Sequence, residues 1–179
     1  PRDIAGFNTF PVDLSNPVII DQDGLKVTAF RVPHDPVKPA LGYRFDYKGR
    51  SIVISGDTSY SENLITHSQD ADVLFHEAQA NHQLAIMKKA LADNKGLVKI
   101  LDDIETYHAT PIEAAQAANL ANVDHLIFYH LTPAPRNNLM ERMFFRGVND
   151  IRKDWSAAKD GTMVVLPLDS DEIIVTEIN

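Results

Sequence analysis

The sequence predicts an α/β fold, and three observations carry that prediction. Apolar, β-branched runs broken by Gly or Pro alternate with stretches of helical spacing. Three successive apolar runs, "SIVISGD", "DVLFHE" and "HLIFYH", end on polar residues. A Thr110-Pro111…Glu113 signature then opens a run of small residues, as a capped helix does.

Taken in order, "PVII" (17–20), "LKVTAFRV" (25–32), "LGYRFDY" (41–47) and "SIVIS" (51–55) read as strands, with Lys48-Gly49-Arg50 as a tight hairpin step. A helix starts at "ENLITHS", and "DVLFHE" (72–77) is the next strand. The stretch 81–94 has the spacing of a surface helix, which Asn94-Lys95-Gly96 is expected to stop. After the capped helix come the strand "HLIFYH" (125–130), the proline-rich loop "LTPAPRNN" and an amphipathic stretch from Leu139 to Trp155. Two strands around "MVVLP" and "EIIVTE" close the chain. There is no internal repeat or linker, so residues 1–179 read as a single domain.

Composition bounds the function. With 179 residues, 44% of them hydrophobic, the chain can bury the core of one domain. A formal charge of -8 argues against wholesale wrapping of nucleic acid, whose binding draws on clustered Lys and Arg, and leaves a local basic groove open. No run approaches the roughly 18 apolar residues of a membrane span. The absence of cysteine removes thiolate ligands and cysteine nucleophiles, so any metal must be held by histidine and carboxylate. It does not separate a cytoplasmic from a periplasmic setting.

The polar strand ends, Asp57, His76-Glu77 and His130, fall where open α/β sheets place their chemistry, and His108 precedes the capped helix. Together they form a candidate cluster whose oxygen and nitrogen donors suit a divalent ion such as zinc. Each also has a plainer reading. Gly-Asp-Thr-Ser is good turn chemistry, and taken locally it favours Asp57 as a turn or cap residue. His108 reads equally as a loop histidine and Glu77 as a solvated charge, while His67, His82 and His125 read as structural or surface residues.

In this order and spacing, "SGDT…SENL", "HEA", "YHATPIEAAQAA" and "FYHLTP" resemble the C-terminal half of the metallo-β-lactamase superfamily. "HEA" and "HAT" resemble its tRNase Z branch, and "VPHDPVKPALGYRF" resembles the segment upstream of the aspartate there and in arylsulfatase- and phosphodiesterase-like hydrolases. The resemblance implies an αββα sandwich, of which this chain would hold about one mixed sheet and its helical layer. It implies that Asp57 bridges two metal ions, zinc with manganese or iron as substitutes, and that His130 is a ligand to one. It further implies that Glu77 orients His108, the pair donating a proton to the leaving group or steadying the scissile phosphate or sulfate. His76 would support strand-end geometry, and His34 would sit near the substrate. The nucleophile would be a metal-bound hydroxide.

The superfamily takes most of its ligands from an H-x-H-x-D-H motif and a further histidine in its N-terminal half, whereas no histidine precedes His34 here. The expectation is therefore a C-terminal portion, with Pro1 inside the parent fold, that alone binds metal weakly and is inactive. The parent is expected to be a hydrolase of a small anionic phosphodiester or sulfate ester, because the "LTPAPRNN" loop, "HEAQ" and the acidic balance depart from the tRNase Z pattern. Arg44, Lys38 and Arg136 are candidates for holding its charge. The alternatives are a tRNA 3′-processing endonuclease, a non-catalytic subunit of the same fold, or a binding module using Asp102-Asp103-Glu105. A half-sandwich would also bare an apolar sheet face. The missing half or a second copy is expected to cover it, with Phe144, Phe145, Val148, Ile151 and Trp155 contributing.

Overall fold

The structure, a computed structural model, describes residues 11–178; the expectation about Pro1 lies outside them. Seven strands form one sheet in chain order: β1 Val18–Gln22, β2 Leu25–Val32, β3 Ala40–Tyr47, β4 Arg50–Ile54, β5 Val73–Gln79, β6 His125–Thr132 and β7 Trp155–Ala157. The first four are an antiparallel meander, and β4 to β7 run parallel. Short turns make the meander: Asp23-Gly24 and Lys48-Gly49 both have positive φ at each residue, the backbone that a two-residue hairpin requires. The parallel strands need crossovers. Helix α1 (Glu62–His67) lies between β4 and β5, while α2 (Asn81–Ala90), α3 (Lys95–Ile104) and α4 (Pro111–Leu120) lie between β5 and β6. Helices α5 (Asn138–Phe144) and α6 (Val148–Ile151) lead to β7. Strands β8 (Thr162–Val165) and β9 (Ile174–Glu177) form a separate hairpin.

Two departures from the expected elements have local causes. Asn94 does not stop a helix but starts α3, its side chain accepting from the Leu97 N–H at 3.1 Å. Helix α2 has already ended at Ala90. Trp155, expected in an amphipathic stretch, opens a short edge strand beside Leu126.

Register decides which side chains share a face. Thr28, Arg44, Val53, Leu74, Leu126 and Trp155 lie in one row across the sheet. Val53, Leu74 and Leu126 from this row pack with Leu64 of α1, Ala114 and Ala118 of α4, and Phe128 into the main core. Alanine on α4 lets that helix sit close to the strands, so Ala114 and Ala118 are fully buried.

The opposite face carries Tyr43, Ile54, Phe75 and Ile127 in one row, and Phe45, Ile52 and Val73 in another. The side chains expected to contribute to its cover lie elsewhere. Phe144, Phe145, Val148 and Trp155 pack into the helix-side core and cannot serve it, while Ile151 is exposed at the surface. Instead Val164, Leu166 and Leu168 of the chain's own tail approach Phe45 and Ile52. The Arg50 guanidinium anchors that tail by donating to the Ser170 and Glu172 carbonyls, and it pairs with Asp72 at 2.9 Å. No helix among the described residues is long and apolar enough to cross a membrane.

Candidate active site

The site is assembled at the C-terminal ends of β4, β5 and β6. Strand β4 stops because Gly56 turns the chain with φ +64, where a Cβ would lie 2.4 Å from the Leu41 carbonyl oxygen. Only glycine fits that approach, and it hands Asp57 to the rim. Adjacent residues of β5 diverge. His76 points to the helix side, is 1% exposed and donates Nδ1–H to the Glu77 carbonyl at 2.7 Å. Burial holds its pKa below the ordinary histidine value, with the Glu77 and Glu113 charges opposing. Glu77 turns to the other face, in register with Tyr129.

On β6 the register slips between Glu77 and Ala78, which pair with Tyr129 and Leu131 and leave His130 as the extra residue of a β-bulge. His130 also has φ +45, rare for a side chain with a Cβ. A bulge re-aims the side chain that it carries. The consequence here is that His130 Nε2 comes within 3.5 Å of Asp57 Oδ1, with both side chains about half exposed.

Next to this open pair is a closed one. His108 Nδ1 donates to Glu77 Oε1 at 2.9 Å, which leaves Nε2 as the free ring nitrogen. Glu77 is fully buried. The same Oε1 accepts from the Thr58 and Ala109 N–H groups at 3.0 and 3.3 Å, while Oε2 has no partner among the described residues. Burial pushes the His108 pKa down, but the Glu77 hydrogen bond, its charge and that of Asp57 together outweigh burial and leave it raised. The loop bearing His108 is pinned on both sides: Gln79 N–H donates to the Ala109 carbonyl at 2.7 Å, and Thr110 and Glu113 form a reciprocal capping box.

His34 joins the group. Its Nδ1–H donates to the Tyr107 carbonyl at 2.8 Å and its ring meets that of His108 edge-on at 5.0 Å. The His108 and His130 rings are 6.2 Å apart. Arg44 does not join. It lies in the helix-side row, and its guanidinium is tied to Asp46 and to the His67 and Gln69 carbonyls, so the expectation that it holds substrate charge is corrected. Lys38 is exposed and paired with Asp35. Arg136 is exposed and lines a cavity of about 620 Å³ with Met87, Met140 and Met143.

Two residues of this neighbourhood escape a reading of strand ends. Thr58 contributes only a backbone N–H, which leaves no mark in sequence. Tyr129 lies inside the apolar run of β6, where burial raises its phenol pKa, a Ser55 hydrogen bond opposes the rise, and Asp57 and Glu77 add to it. Its signal was the two-residue alternation that puts it beside Glu77.

As a metal site, the Asp57–His130 pair supplies an oxygen and a nitrogen donor at a spacing that one ion can bridge. Among the described residues no group of three or more ligating side chains converges. The pair therefore fits one edge of a coordination sphere and does not complete one.

The chain is 32% identical over 114 residues to ribonuclease Z of Mycobacterium tuberculosis (strain H37Rv), covering 64% of this chain and 38% of that protein. The Mycobacterium avium ribonuclease Z gives the same identity and coverage. The chain thus spans less than half the length of these curated relatives. Among solved structures, the isothiocyanate hydrolase from Delia radicum gut bacteria superposes with a TM-score of 0.58 at 14% identity, over 98% of this chain and 62% of that one. The metallo-beta-lactamase fold protein YhfI of Bacillus subtilis gives 0.54 at 19%, over 77% and 48%. At these identities the two structures show the fold alone. The family model described as "Beta-lactamase superfamily domain" matches residues 1–131, and the chain belongs to that family.

Proposed function

We propose that this chain contributes the Asp57–His130 edge of a dinuclear metal centre and the Glu77–His108 proton donor of a hydrolase that cleaves a phosphodiester bond in RNA. The observation that carries this reading is the 3.5 Å approach of Asp57 to His130 beside a buried Glu77 carboxylate that fixes the His108 ring. The name ribonuclease Z on relatives 32% identical to this chain favours RNA as the substrate. The remaining ligands come from residues other than those described. When bound, a divalent ion would supply a hydroxide nucleophile near neutral pH.

The chain's own residues do the rest. Glu77 holds the Nδ1 proton and stabilises the imidazolium, so Nε2 is poised to give a proton to the departing oxygen. His34 braces the ring from its edge. Arg136, on the loop after His130, meets a non-bridging oxygen or a neighbouring phosphate. A second reading, a small phosphodiester or sulfate ester as substrate, is favoured by the charge of -8.

The test offers the natural full-length protein a 3′-extended precursor RNA, an aryl phosphodiester and an aryl sulfate, and follows cobalt(II) absorption in wild type and Asp57→Ala. Cleavage of the RNA and a cobalt spectrum lost in the variant are expected. Hydrolysis of the sulfate alone would transfer the assignment to the second reading, and an unchanged cobalt spectrum would remove Asp57 from the metal. The 179-residue chain by itself is expected to bind cobalt weakly, because two donors fall short of the three or four protein ligands usual for such a site.

A further inference from the structure

We propose that the surface beyond His130 is a track for an RNA strand, in which Lys159, Arg142 and Arg146 hold successive phosphates leading away from the Asp57–His130 pair. Two concavities define it. One, of about 370 Å³, is bounded by His130, Ala134, Pro135 and Lys159. The other, of about 510 Å³, is bounded by Lys159, Arg142, Arg146 and Trp155. Lys159 borders both, so the clefts adjoin, and the first is lined by a residue of the candidate site.

The cations of this surface differ from the arginines bound into the fold. Arg44, Arg50 and Arg152 are spent on internal carbonyls and carboxylates. Among the described residues the side chains of Arg142, Arg146 and Lys159 make no hydrogen bond or ion pair, although Glu141 borders both clefts and Asp160 the first. Cations are thus in excess here on a chain whose net charge is -8. Guanidinium forks match phosphate oxygens, and the half-buried Trp155 in the cleft wall offers an aromatic surface on which a base can rest. A concave cationic path with an aromatic wall, starting at a phosphodiesterase site, fits an RNA backbone better than an acidic protein. The inference rests on the hydrolase reading of that site for its direction but is tested without turnover.

Anisotropy of a fluorescein-labelled single-stranded RNA is measured across a salt series. The probe is bound by wild type, by Arg142→Gln/Arg146→Gln/Lys159→Gln, and by the charge-matched control Lys89→Gln/Lys95→Gln/Lys99→Gln on exposed positions of α2 and α3. The track variant is expected to raise Kd about 10-fold or more and to flatten the slope of log K against log salt by about 2, the control neither. Lys159→Gln alone, on an exposed side chain, should flatten the slope by about 0.7. Equal weakening by track variant and control would overturn the proposal, as would no RNA binding or displacement of RNA by poly-glutamate at equal charge. RNA held on the track with neither RNA nor aryl ester cleaved would discard the hydrolase reading and keep the track. Ester cleavage with RNA binding indifferent to the track variant would do the reverse.

Discussion

The Glu77–His108 pair and the Asp57–His130 pair occupy the same rim, yet one is closed and the other open. Glu77 is 0% exposed and its Oε1 accepts from His108 and two backbone N–H groups. Asp57 and His130 are 41% and 50% exposed, and among the described residues their side chains pair only with each other. The contrast separates two kinds of work. A proton donor needs one defined tautomer and a raised pKa, and a hydrogen-bonded carboxylate provides both against the opposing effect of burial. A metal ligand needs unused lone pairs facing outward, which a solvated strand end provides. The closed pair draws its orienting hydrogen bonds from this chain, and the open pair leaves its donors facing outward.

The largest expected effect breaks the open pair. Asp57→Ala should reduce kcat/KM in the full-length protein by more than the about 10–100-fold typical of groups that only support metal ligands, and should abolish cobalt absorption. Circular dichroism should stay unchanged, since the carboxylate is half exposed.

Glu77→Gln tests the closed pair. It should cost about 10–100-fold in activity while leaving cobalt binding in place. It should also lower the His108 pKa in an NMR titration. The sign follows from the raised value: the Glu77–His108 interaction stabilises the fold fully below a free-histidine pKa of about 6.5 and is lost as pH rises through the raised folded value. The difference in unfolding free energy between wild type and His108→Gln should shrink across that window. His76 gives the opposite dependence. Burial lowers its pKa, so the stability that it confers is lost as pH falls below about 6.5.

Smaller effects sharpen the comparison by moving the frame under each pair. Gly56→Ala should destabilise by about 1–3 kcal/mol in denaturant melts, because its φ of +64 and the 2.4 Å approach to the Leu41 carbonyl both exclude a Cβ. Its activity loss should follow displaced Asp57. Thr110→Ala removes the cap that steadies the His108 loop and should cost about 1 kcal/mol, a shift of roughly 2–4 °C in Tm.

Much of this was legible along the chain, and the failures have physical causes. Lys48-Gly49 and the Thr110–Glu113 box announce themselves because a turn or cap is satisfied by residues within a few positions. Asn94-Lys95-Gly96 misled because asparagine before glycine serves a helix end and a helix start alike, and here α2 was already over. Strand β7 is too short to show a period and lay hidden in an amphipathic run. Arg44 was misplaced by ignoring parity: its register row belongs to the helix side, where the end of α1 absorbs its donors. Nothing in "FYHLTP" announces a bulge, which exists only relative to the neighbouring strand.

The sequence by itself determined most of the strands, the glycine turn before Asp57, the capped helix behind His108 and the supply of donors without thiols. These depend on torsional preferences and hydrogen bonds between near neighbours. Only the tertiary structure decided that His130 swings out to meet Asp57, that His34 reaches His108 and that the tail covers part of the bare sheet face. It also gathered Lys159 with Arg142 and Arg146 beside the site. Those outcomes depend on strand register and on contacts between distant parts of the chain, where many sequence-compatible pairings compete until the packed core selects one.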